Sequence, residues 1–223
     1  MEKILILIPA YNASVTLSSL IVQLLPFFEK EDILVVDDGS VDRTFDIAKE
    51  KGVVVFRHKD NQGKGKALLT GFEFALKKGY DGVLTLDADL QHPPELIGDF
   101  LAKKEKNKNT IFLGTRKRNL GNMPFSRFIT NVLTSLIISV IAGKRIYDSQ
   151  SGYRLIPIFC FKKMRLKSKE YQLESEILLK GARLGFNFYE VPIPTIYAGS
   201  KSSINPLVDT WRFLYLLWKS LWW

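Results

Sequence analysis

The chain has 223 residues, of which 46% are hydrophobic and 25% charged, a composition that fits one well-buried domain and excludes a disordered protein. Its net charge of +9 is unevenly distributed. Residues 1–100 carry 11 basic and 16 acidic residues (net −5), whereas residues 101–223 carry 21 and 7 (net +14). The single cysteine, Cys160, excludes a disulfide framework and suits a reducing compartment.

The basic second half predicts a partner with an anionic surface. No nucleic-acid-binding motif occurs, and the basic residues stand beside long apolar stretches. We therefore predict a membrane surface as the partner and no nucleic acid. A zinc cluster is excluded because the chain has two histidines and one cysteine.

Short apolar runs that do not alternate with polar residues predict strands buried on both faces. These runs are residues 4–8, 33–36, 53–56, 83–86 and 111–113. Helical patterns lie between them, at residues 15–28, 41–51, 64–78 and 94–106, and Ser40 is the predicted N-cap of the second. The alternation predicts an α/β fold with a mostly parallel sheet flanked by helices.

Three further helices are predicted, at residues 128–142, 171–185 and 206–223. The last of them has apolar residues at helical spacing and ends in two tryptophans, a pattern typical of a helix that lies at a membrane interface. Packing against the domain or a second subunit is the alternative. No segment reaches the roughly 18–20 apolar residues that cross a bilayer, and Pro9 interrupts the first run too early for a signal peptide.

Polar motifs follow the predicted strands. They are residues 9–12, 37–40 and 87–89, with residues 61–66 between the third strand and its helix. In mostly parallel sheets ligands bind at the carboxyl ends of the strands, so we expect these motifs to share one cleft.

Asp87 and Asp89 leave a strand one residue apart and are followed by two prolines. Their carboxylates are the hard oxygen ligands that Mg²⁺ or Mn²⁺ prefers, and such ions commonly hold phosphates, so a diphosphate is the expected partner. A solvated turn is the alternative, since Asp and Pro are common in turns. His92 and His58 are interpreted as structural.

The stretch at residues 61–66, with Lys64 at a helix start, is rich in glycine and lysine. Free backbone N–H groups and the helix dipole favour an anion there, and a flexible loop with solvated lysines is the alternative. The spacing is not that of a Walker A loop, which argues against a P-loop kinase or ATPase.

Arginines precede and begin the apolar helix at residues 128–142. Arg116 and Arg118 follow the fifth strand, and Arg127 stands at the helix start. We expect Arg116 and Arg127 to hold the phosphate of a lipid acceptor at the foot of an apolar surface. A solvated cluster beside a core helix is the alternative.

Seven motifs together resemble family 2 glycosyltransferases of the GT-A fold, which is Rossmann-like, and within them the dolichyl-phosphate or polyprenyl-phosphate sugar synthases. They are IPAYN, VVDDGS, NQGKGKAL, LDADLQHPPE, GTR, SGYRLI and EVPIPTIY with GSKSSINPLVDT, and they span essentially the whole chain. One departure is Ala13, where the family often has a glutamate.

The resemblance implies roles for named residues. The nucleotide-binding set is Pro9, Tyr11, Asn12, Asp37 and Asp38, with Lys64, Asp87 and Lys201 at the diphosphate. It also implies that Asp87, Asp89 and Gln91 hold Mg²⁺ or Mn²⁺.

Asp148, in the segment that precedes SGYR, is the candidate general base. An acceptor phosphate, whose second pKa is about 6, is already a nucleophile at neutral pH, so Asp148 could instead orient an arginine or the sugar. Glu174 and Glu176 are alternative bases, although glutamates on a helix are usually structural.

The predicted function is that of a metal-dependent inverting glycosyltransferase. It moves a sugar from a nucleotide diphosphate, such as GDP-mannose or a UDP-hexose, to a polyprenyl phosphate. We expect residues 1–205 to form the catalytic domain, and residues 206–223 to lie peripherally on the cytoplasmic face of the membrane. The alternatives are a saccharide acceptor in cell-surface polysaccharide synthesis and, less favoured, a nucleotide-binding membrane protein without activity.

Overall fold

One twisted sheet organises the molecule. The computed structural model describes residues 2–106, 109–116, 125–196 and 206–223. Within these ranges the strands are β1 (Ile4–Ala10), β2 (Ile33–Asp37), β3 (Val54–Arg57), β4 (Gly82–Thr85), β5 (Thr110–Arg116), β6 (Arg154–Pro157) and β7 (Asn187–Ile193). Their order is β3-β2-β1-β4-β6-β5-β7, and β6 runs antiparallel to both of its neighbours while the other pairs are parallel. The predicted mostly parallel α/β sheet is confirmed.

Helices cover both faces of this sheet. They are α1 (Leu17–Leu24), α2 (Thr44–Glu50), α3 (Lys64–Lys78), α4 (Ile97–Lys106), α5 (Phe125–Ala142), α6 (Ile158–Lys163), α7 (Gln172–Arg183) and α8 (Pro206–Ser220). Short 3₁₀ turns lie at Lys30–Asp32 and Pro94–Leu96. In the part of the chain that the structure covers, no helix is both long and apolar enough to cross a membrane.

The central strand β1 shows why the strands lack alternation. Its side chains point alternately to the two faces, and both faces are buried. Leu5 and Leu7 belong to the core under α3 and α7, whereas Ile6 and Ile8 belong to the core under α1 and α4. A strand between two helix layers is therefore apolar at every position.

The sequence did not predict β6, which lies between β4 and β5. Thr85 at the end of β4 donates a hydrogen bond from its hydroxyl to the carbonyl of Gly152, over 2.6 Å. The antiparallel strand therefore brings residues 148–152 to the same edge of the sheet as the end of β4.

The prediction that Ser40 caps the second helix is wrong. Helix α2 begins at Thr44, and its first turn has no side-chain cap of that kind. The Ser40 hydroxyl instead accepts a hydrogen bond from the backbone N–H of Asn12, over 2.9 Å. Ser40 thus ties the end of β2 to the end of β1, while Asp42 Oδ1 accepts the N–H of Thr44 at the start of α2, over 3.0 Å.

Helix α8 lies along α7 and has one buried and one exposed face. Leu216 is buried in the core that includes α7, while Trp211 and Trp218 are 71% and 60% exposed. The guanidinium of Arg183 donates a hydrogen bond to the backbone oxygen of Trp223, and Lys180 Nζ lies 4.7 Å from the centroid of the Trp223 ring. The amphipathic character of this helix is confirmed, and the domain boundary at residue 206 stays a prediction.

Candidate active site

The polar motifs that follow β1, β2 and β4 meet at one edge of the sheet. Parallel pairing aligns Ala10 with Asp37 and Leu7 with Thr85, so the residues that follow these strands emerge side by side. We call this edge, together with residues 61–66, the donor half of the site. Arg116 at the end of β5, Asp148 and helix α5 are called the acceptor half.

A half-buried lysine lies at the centre of the donor half. Lys64 Nζ is 2.7 Å from Asp87 Oδ1 and 2.9 Å from Glu174 Oε1. Burial alone would lower the pKa of Lys64, but the two carboxylates outweigh burial and raise it, so the ammonium stays charged. The same contact lowers the pKa of Asp87 against the opposing effect of burial.

The backbone at Asp87 is held by His92. The Asp87 N–H donates to His92 Nδ1 over 3.1 Å, and the imidazole stacks on the ring of Tyr153 with centroids 5.1 Å apart. Burial lowers the pKa of His92 to about 4, which keeps the ring neutral and able to accept this hydrogen bond. This contact fits the interpretation of His92 as structural. Through it, His92 fixes the backbone of Asp87, a candidate metal ligand.

Gly152 leaves room for the Asp87 carboxylate. A Cβ at Gly152 would lie 2.6 Å from Asp87 Oδ2, closer than real Cβ contacts come. Asp89 lies next to this pair, and its Oδ1 accepts the N–H of Gln91 over 3.0 Å. Burial and the nearby charge of Asp87 raise the pKa of Asp89.

The donor set fits a hard divalent cation. Asp87 and Asp89 offer carboxylate oxygens, and Gln91 offers an amide oxygen. Among the residues that are described, no group of three or more His, Cys, Asp or Glu side chains could hold a metal ion. Mg²⁺ is commonly held by one or two carboxylates plus phosphate oxygens and water, so two carboxylates are sufficient when a diphosphate is present. The ammonium of Lys64 against Asp87 shows that this carboxylate accepts a cation.

Asp38 holds the loop at residues 61–66. Its carboxylate accepts backbone N–H groups from Gln62 and Gly63, the shorter contact being 2.8 Å, and it lies 2.6 Å from His58 Nδ1. His58 in turn lies 2.9 Å from the hydroxyl of Thr70 on α3. The family resemblance implies that Asp38 binds the nucleotide. In the structure both of its carboxylate oxygens instead contact groups of the protein itself.

Asp37 is oriented differently. Its Oδ1 accepts the N–H of Ser40, and its buried Oδ2 has no hydrogen-bond partner but lies 3.2 Å from Arg57 Nε. Arg57 also donates to the carbonyl of Ser40 over 2.8 Å. Asp37 therefore keeps acceptor capacity close to the predicted nucleotide-binding residues.

The end of β1 supplies the other predicted nucleotide-binding residues. Pro9 is buried within β1, whereas Tyr11 is 46% exposed. Asn12 has a φ of +50°, and its Oδ1 accepts the backbone N–H of Val41 over 3.0 Å. The asparagine thus fixes the turn, and the tyrosine ring is accessible to a ligand.

The start of α3 packs against residues 169–170. The N–H of Lys66 donates to the carbonyl of Lys169 over 2.8 Å, and a Cβ at Gly65 would lie 2.6 Å from the Glu170 carbonyl. The N–H of Lys66 and the N–H groups bound to Asp38 are therefore satisfied within the protein. The predicted contact of this stretch with phosphate stays a prediction.

The acceptor half is built around a bidentate ion pair. Arg116 Nε donates to Asp148 Oδ2 over 2.7 Å, and a terminal guanidinium nitrogen donates to Oδ1 over 3.0 Å. Asn131 on α5 also donates to Asp148 Oδ1, over 2.7 Å. Burial alone would raise the pKa of Asp148, but these donors outweigh burial and lower it. A carboxylate with these partners is suited to orienting Arg116 and is a poor general base.

Several predicted residues cannot be placed. Arg118 and Lys201 lie outside the described residues, and so does the side chain of Arg127.

Glu176, an alternative base, accepts the backbone N–H groups of Lys167 and Ser168 and pairs with Lys180 over 2.6 Å, so it fixes a loop.

Sequence reasoning missed Arg154, which is 1% exposed. It donates to the carbonyls of Ser149, Ser151 and Glu174 over 2.7–2.8 Å and so fastens the segment after Asp148 to α7. Its signal in the sequence is an arginine at the start of an apolar run. It also missed Asn131, whose signal is a polar residue in an apolar helix.

Comparison with known proteins agrees with this geometry. The family model described as glycosyl transferase family 2 matches residues 5–170. The chain is 32% identical to the UDP-N-acetylglucosamine–dolichyl-phosphate N-acetylglucosaminyltransferase of Methanococcus voltae, over 88% of this chain and 86% of the relative. It is 31% identical to the undecaprenyl-phosphate mannosyltransferase of Micrococcus luteus, over 86% and 82%.

Solved structures share the fold. Glucosyl-3-phosphoglycerate synthase of Mycobacterium tuberculosis, in complex with Mn²⁺, UDP and glucosyl-3-phosphoglycerate, aligns with a TM-score of 0.75 and 18% identity. The alignment covers 99% of this chain and 78% of that one. The fold is therefore GT-A, and the chain belongs to glycosyl transferase family 2.

Proposed function

We propose that this glycosyltransferase moves a sugar from a nucleotide diphosphate to a polyprenyl phosphate at the cytoplasmic face of a membrane. The observation that carries the proposal is the arginine of the acceptor half. Arg116 is held by Asp148 next to α5, and the outer face of α5 is apolar. A fixed guanidinium beside an apolar surface fits a phosphate that carries a hydrocarbon chain.

Helix α5 offers the apolar surface. Its exposed large hydrophobic side chains recur at helical spacing, and they are Ile129, Leu133, Leu136, Ile137 and Val140. Asn131, on the other face, reaches Asp148. One helix therefore contacts the ion pair on its inner side and presents an apolar outer side along which a polyprenyl chain would lie.

The donor half would hold the nucleotide sugar. Tyr11 and Asp37 would contact the base and the ribose, and Lys64 would contact the diphosphate. Asp87, Asp89 and Gln91 would hold Mg²⁺ or Mn²⁺. When bound, this ion neutralises charge on the departing nucleoside diphosphate.

The acceptor phosphate requires no side-chain base. An oxygen of the phosphate forms a bond to the anomeric carbon while the bond from that carbon to the donor diphosphate breaks. Because the phosphate is already anionic at neutral pH, no proton has to be removed first. Asp148 keeps Arg116 in place, and a single displacement inverts the anomeric centre.

Helix α8 supports membrane contact. Its outer face includes Trp211 and Trp218, which are 71% and 60% exposed, and Trp222, which follows the helix, is 77% exposed. Lys219 is a cationic residue in the last turn of the same helix. Tryptophan and lysine at the edge of an apolar face are typical of helices that lie in the headgroup region. Helix α5 adds a second exposed apolar face.

The test is a transfer assay with a panel of labelled sugar nucleotides. The enzyme is incubated with vesicles that contain polyprenyl phosphate, with Mg²⁺ or Mn²⁺ present or removed by a chelator. We expect label in the lipid fraction for one donor, and none after chelation. Soluble saccharides and vesicles without polyprenyl phosphate are the controls, and label that enters only the saccharides would contradict the proposal.

A further inference from the structure

The lysine of the donor half touches two carboxylates that differ in position. Asp87 follows β4 and is a candidate metal ligand, whereas Glu174 belongs to the first turn of α7. The side chain of Lys64 is 18% exposed, that of Asp87 28% and that of Glu174 9%. The ammonium therefore bridges the edge of the cleft and a carboxylate behind it.

Neither the expected metal nor the expected diphosphate explains Glu174. A carboxylate near a diphosphate would repel it, and the Glu174 carboxylate accepts a hydrogen bond from Lys64 over 2.9 Å. Its placement is nevertheless firm, because its backbone carbonyl accepts a hydrogen bond from the buried Arg154 over 2.7 Å. A buried carboxylate that contacts a lysine, which itself contacts a metal ligand, suggests a role in cation binding.

We propose that Lys64 is a resident counter-ion of Asp87 that gives way to the divalent cation, and that Glu174 is the positioning residue that retains Lys64 afterwards. This inference rests on the metal site of the proposed function. Before the donor binds, Lys64 is paired with Asp87. After the cation binds, Glu174 keeps Lys64 in place.

The exchange follows from electrostatics. A divalent cation binds a carboxylate oxygen at about 2.0–2.1 Å, and an ammonium 2.7 Å from the same oxygen would be strongly repelled. Lysine has a flexible stem and a compact charge, so its Nζ is able to leave Asp87 without moving α3. Glu174 already contacts Nζ, and the ring of Tyr171 lies 5.9 Å from it, so a place for the displaced ammonium exists.

The same exchange explains how a partly buried carboxylate persists before the donor arrives. Without a cation, Asp87 would carry an uncompensated charge beside Gly152 and His92, which is costly. Lys64 supplies that compensation. After the exchange, its ammonium stays at the edge of the cleft where the diphosphate is expected.

The inference makes opposite predictions for the two partners. In Lys64→Met, the competing ammonium is gone, so Mn²⁺ should bind about tenfold tighter in the absence of nucleotide. In Glu174→Gln, the displaced lysine has no carboxylate to receive it, so Mn²⁺ should bind about tenfold more weakly. A merely structural role would weaken binding in both variants.

The measurement is Mn²⁺ affinity by isothermal titration calorimetry, together with the shift of the melting temperature on adding Mn²⁺. Lys77→Met, in the last turn of the same helix, is the matched control and should bind as the wild type does. Glu174→Asp, which keeps the charge, should restore part of the affinity. When Glu174→Gln is added to Lys64→Met, the Mn²⁺ affinity should not change further, because Glu174 acts through Lys64.

Three results would overturn the inference: Lys64→Met binding Mn²⁺ no tighter than wild type, Glu174→Gln binding it equally well, or a Glu174→Gln effect that persists without Lys64. If Lys64→Met does not fold, Lys64→Gln takes its place with the same expectation. A wild-type enzyme that binds no Mn²⁺, with or without UDP or GDP, would remove the metal site and this inference together. Normal Mn²⁺ binding without opposite effects would remove the exchange alone.

Discussion

The two halves of the site are stabilised by different means. In the donor half, buried polar groups bind one another, as Asp38 does with Gln62, Gly63 and His58. In the acceptor half, one ion pair lies beside helix α5, whose outer face exposes large apolar side chains. The polar groups around Asp38 are therefore paired within the protein, whereas the acceptor half exposes an apolar helix face to water.

This difference indicates how the two substrates differ. A nucleotide sugar is a polar molecule that arrives from water, and a site with fixed hydrogen bonds recognises it without further ordering. Extended exposed apolar surface on a soluble protein usually marks an interaction site. Under the proposed function, the apolar face of the acceptor half would contact the hydrocarbon chain of the lipid acceptor.

The largest effect is expected from Asp87→Asn in the donor half. This change removes the charge that binds the cation while Lys64 stays paired with Glu174, so transfer should fall by about 10³-fold. The measurement is the rate of label transfer to polyprenyl phosphate. Asp81→Asn, just before β4 and at its opposite end, should keep transfer close to wild type. Equal losses in both variants would show that the effect is not local to the site.

The second-largest effect is expected from arginine substitutions, which distinguish the acceptor half from the donor half. Arg116→Ala and Arg127→Ala should each lower kcat/KM for the lipid acceptor by about 100-fold, because a phosphate loses its cationic partner. Arg57→Ala, beside Asp37, should change the KM for the donor and leave the KM for the acceptor unchanged. Normal acceptor affinity and turnover in both Arg116→Ala and Arg127→Ala would contradict the assignment of the acceptor half.

A smaller effect is expected from the apolar face of α8. Trp218 and Leu221 are 60% and 63% exposed, so replacing both with serine should leave the free energy of unfolding nearly unchanged. The fraction bound to vesicles should fall about tenfold, because two large side chains no longer enter the headgroup region. Sedimentation with vesicles measures this.

The control for this surface is Phe27→Ser. Phe27 is 53% exposed and follows α1, on the opposite side of the sheet from α8. It should not alter vesicle binding. If the Trp218 and Leu221 double variant binds vesicles as the wild type does, these side chains do not contribute to membrane binding.

The smallest effect concerns acid stability. Burial alone would raise the pKa of Glu176, but hydrogen bonds from Lys180 and from the backbone of Lys167 and Ser168 outweigh burial and lower it. A carboxyl whose pKa is lower in the folded state stabilises the fold at neutral pH, and this contribution is lost as pH falls below about 4.3. Wild type should therefore lose about 1 kcal/mol more than Glu176→Gln between neutral and acid pH.

Urea unfolding at pH 7 and at pH 3 measures this difference. Glu73→Gln on the exposed face of α3 is the matched control and should follow the wild type. Parallel pH curves for wild type and Glu176→Gln would show that the loop at residues 167–168 does not depend on this carboxylate.

The sequence was most informative where the chain repeats strand and helix. The predicted helix at residues 64–78 coincides with α3, since its glycine at residue 79 adopts a φ of +72° and ends the helix. The first five strands were also predicted within a few residues, because each forms a continuous apolar run. The expected burial on both faces is wrong for β3, which lies at the edge of the sheet and leaves Phe56 51% exposed. The antiparallel β6 was missed because four residues that include a buried arginine do not resemble such a strand.

The contacts within the site were less predictable than its location. Motif positions indicated that Asp87 and Lys64 lie in one cleft, and the register of the parallel strands explains why. Neither the pairing of Lys64 with Glu174 nor that of Arg116 with Asp148 is visible in the sequence, since each joins residues far apart along the chain. For Asp38 the sequence predicts a ligand contact, whereas in the structure its carboxylate holds the loop at residues 61–66.

The short segment from Asp148 to Gly152 gives the two halves a common covalent frame. At one end Asp148 fixes the arginine of the acceptor half, and at the other Gly152 lies against Asp87. Five residues span at most about 18 Å, so the distance between the two reactants is limited by chain length. Under the proposed function this segment would act as a spacer, and we expect an insertion in it to separate the two substrates without abolishing the binding of either.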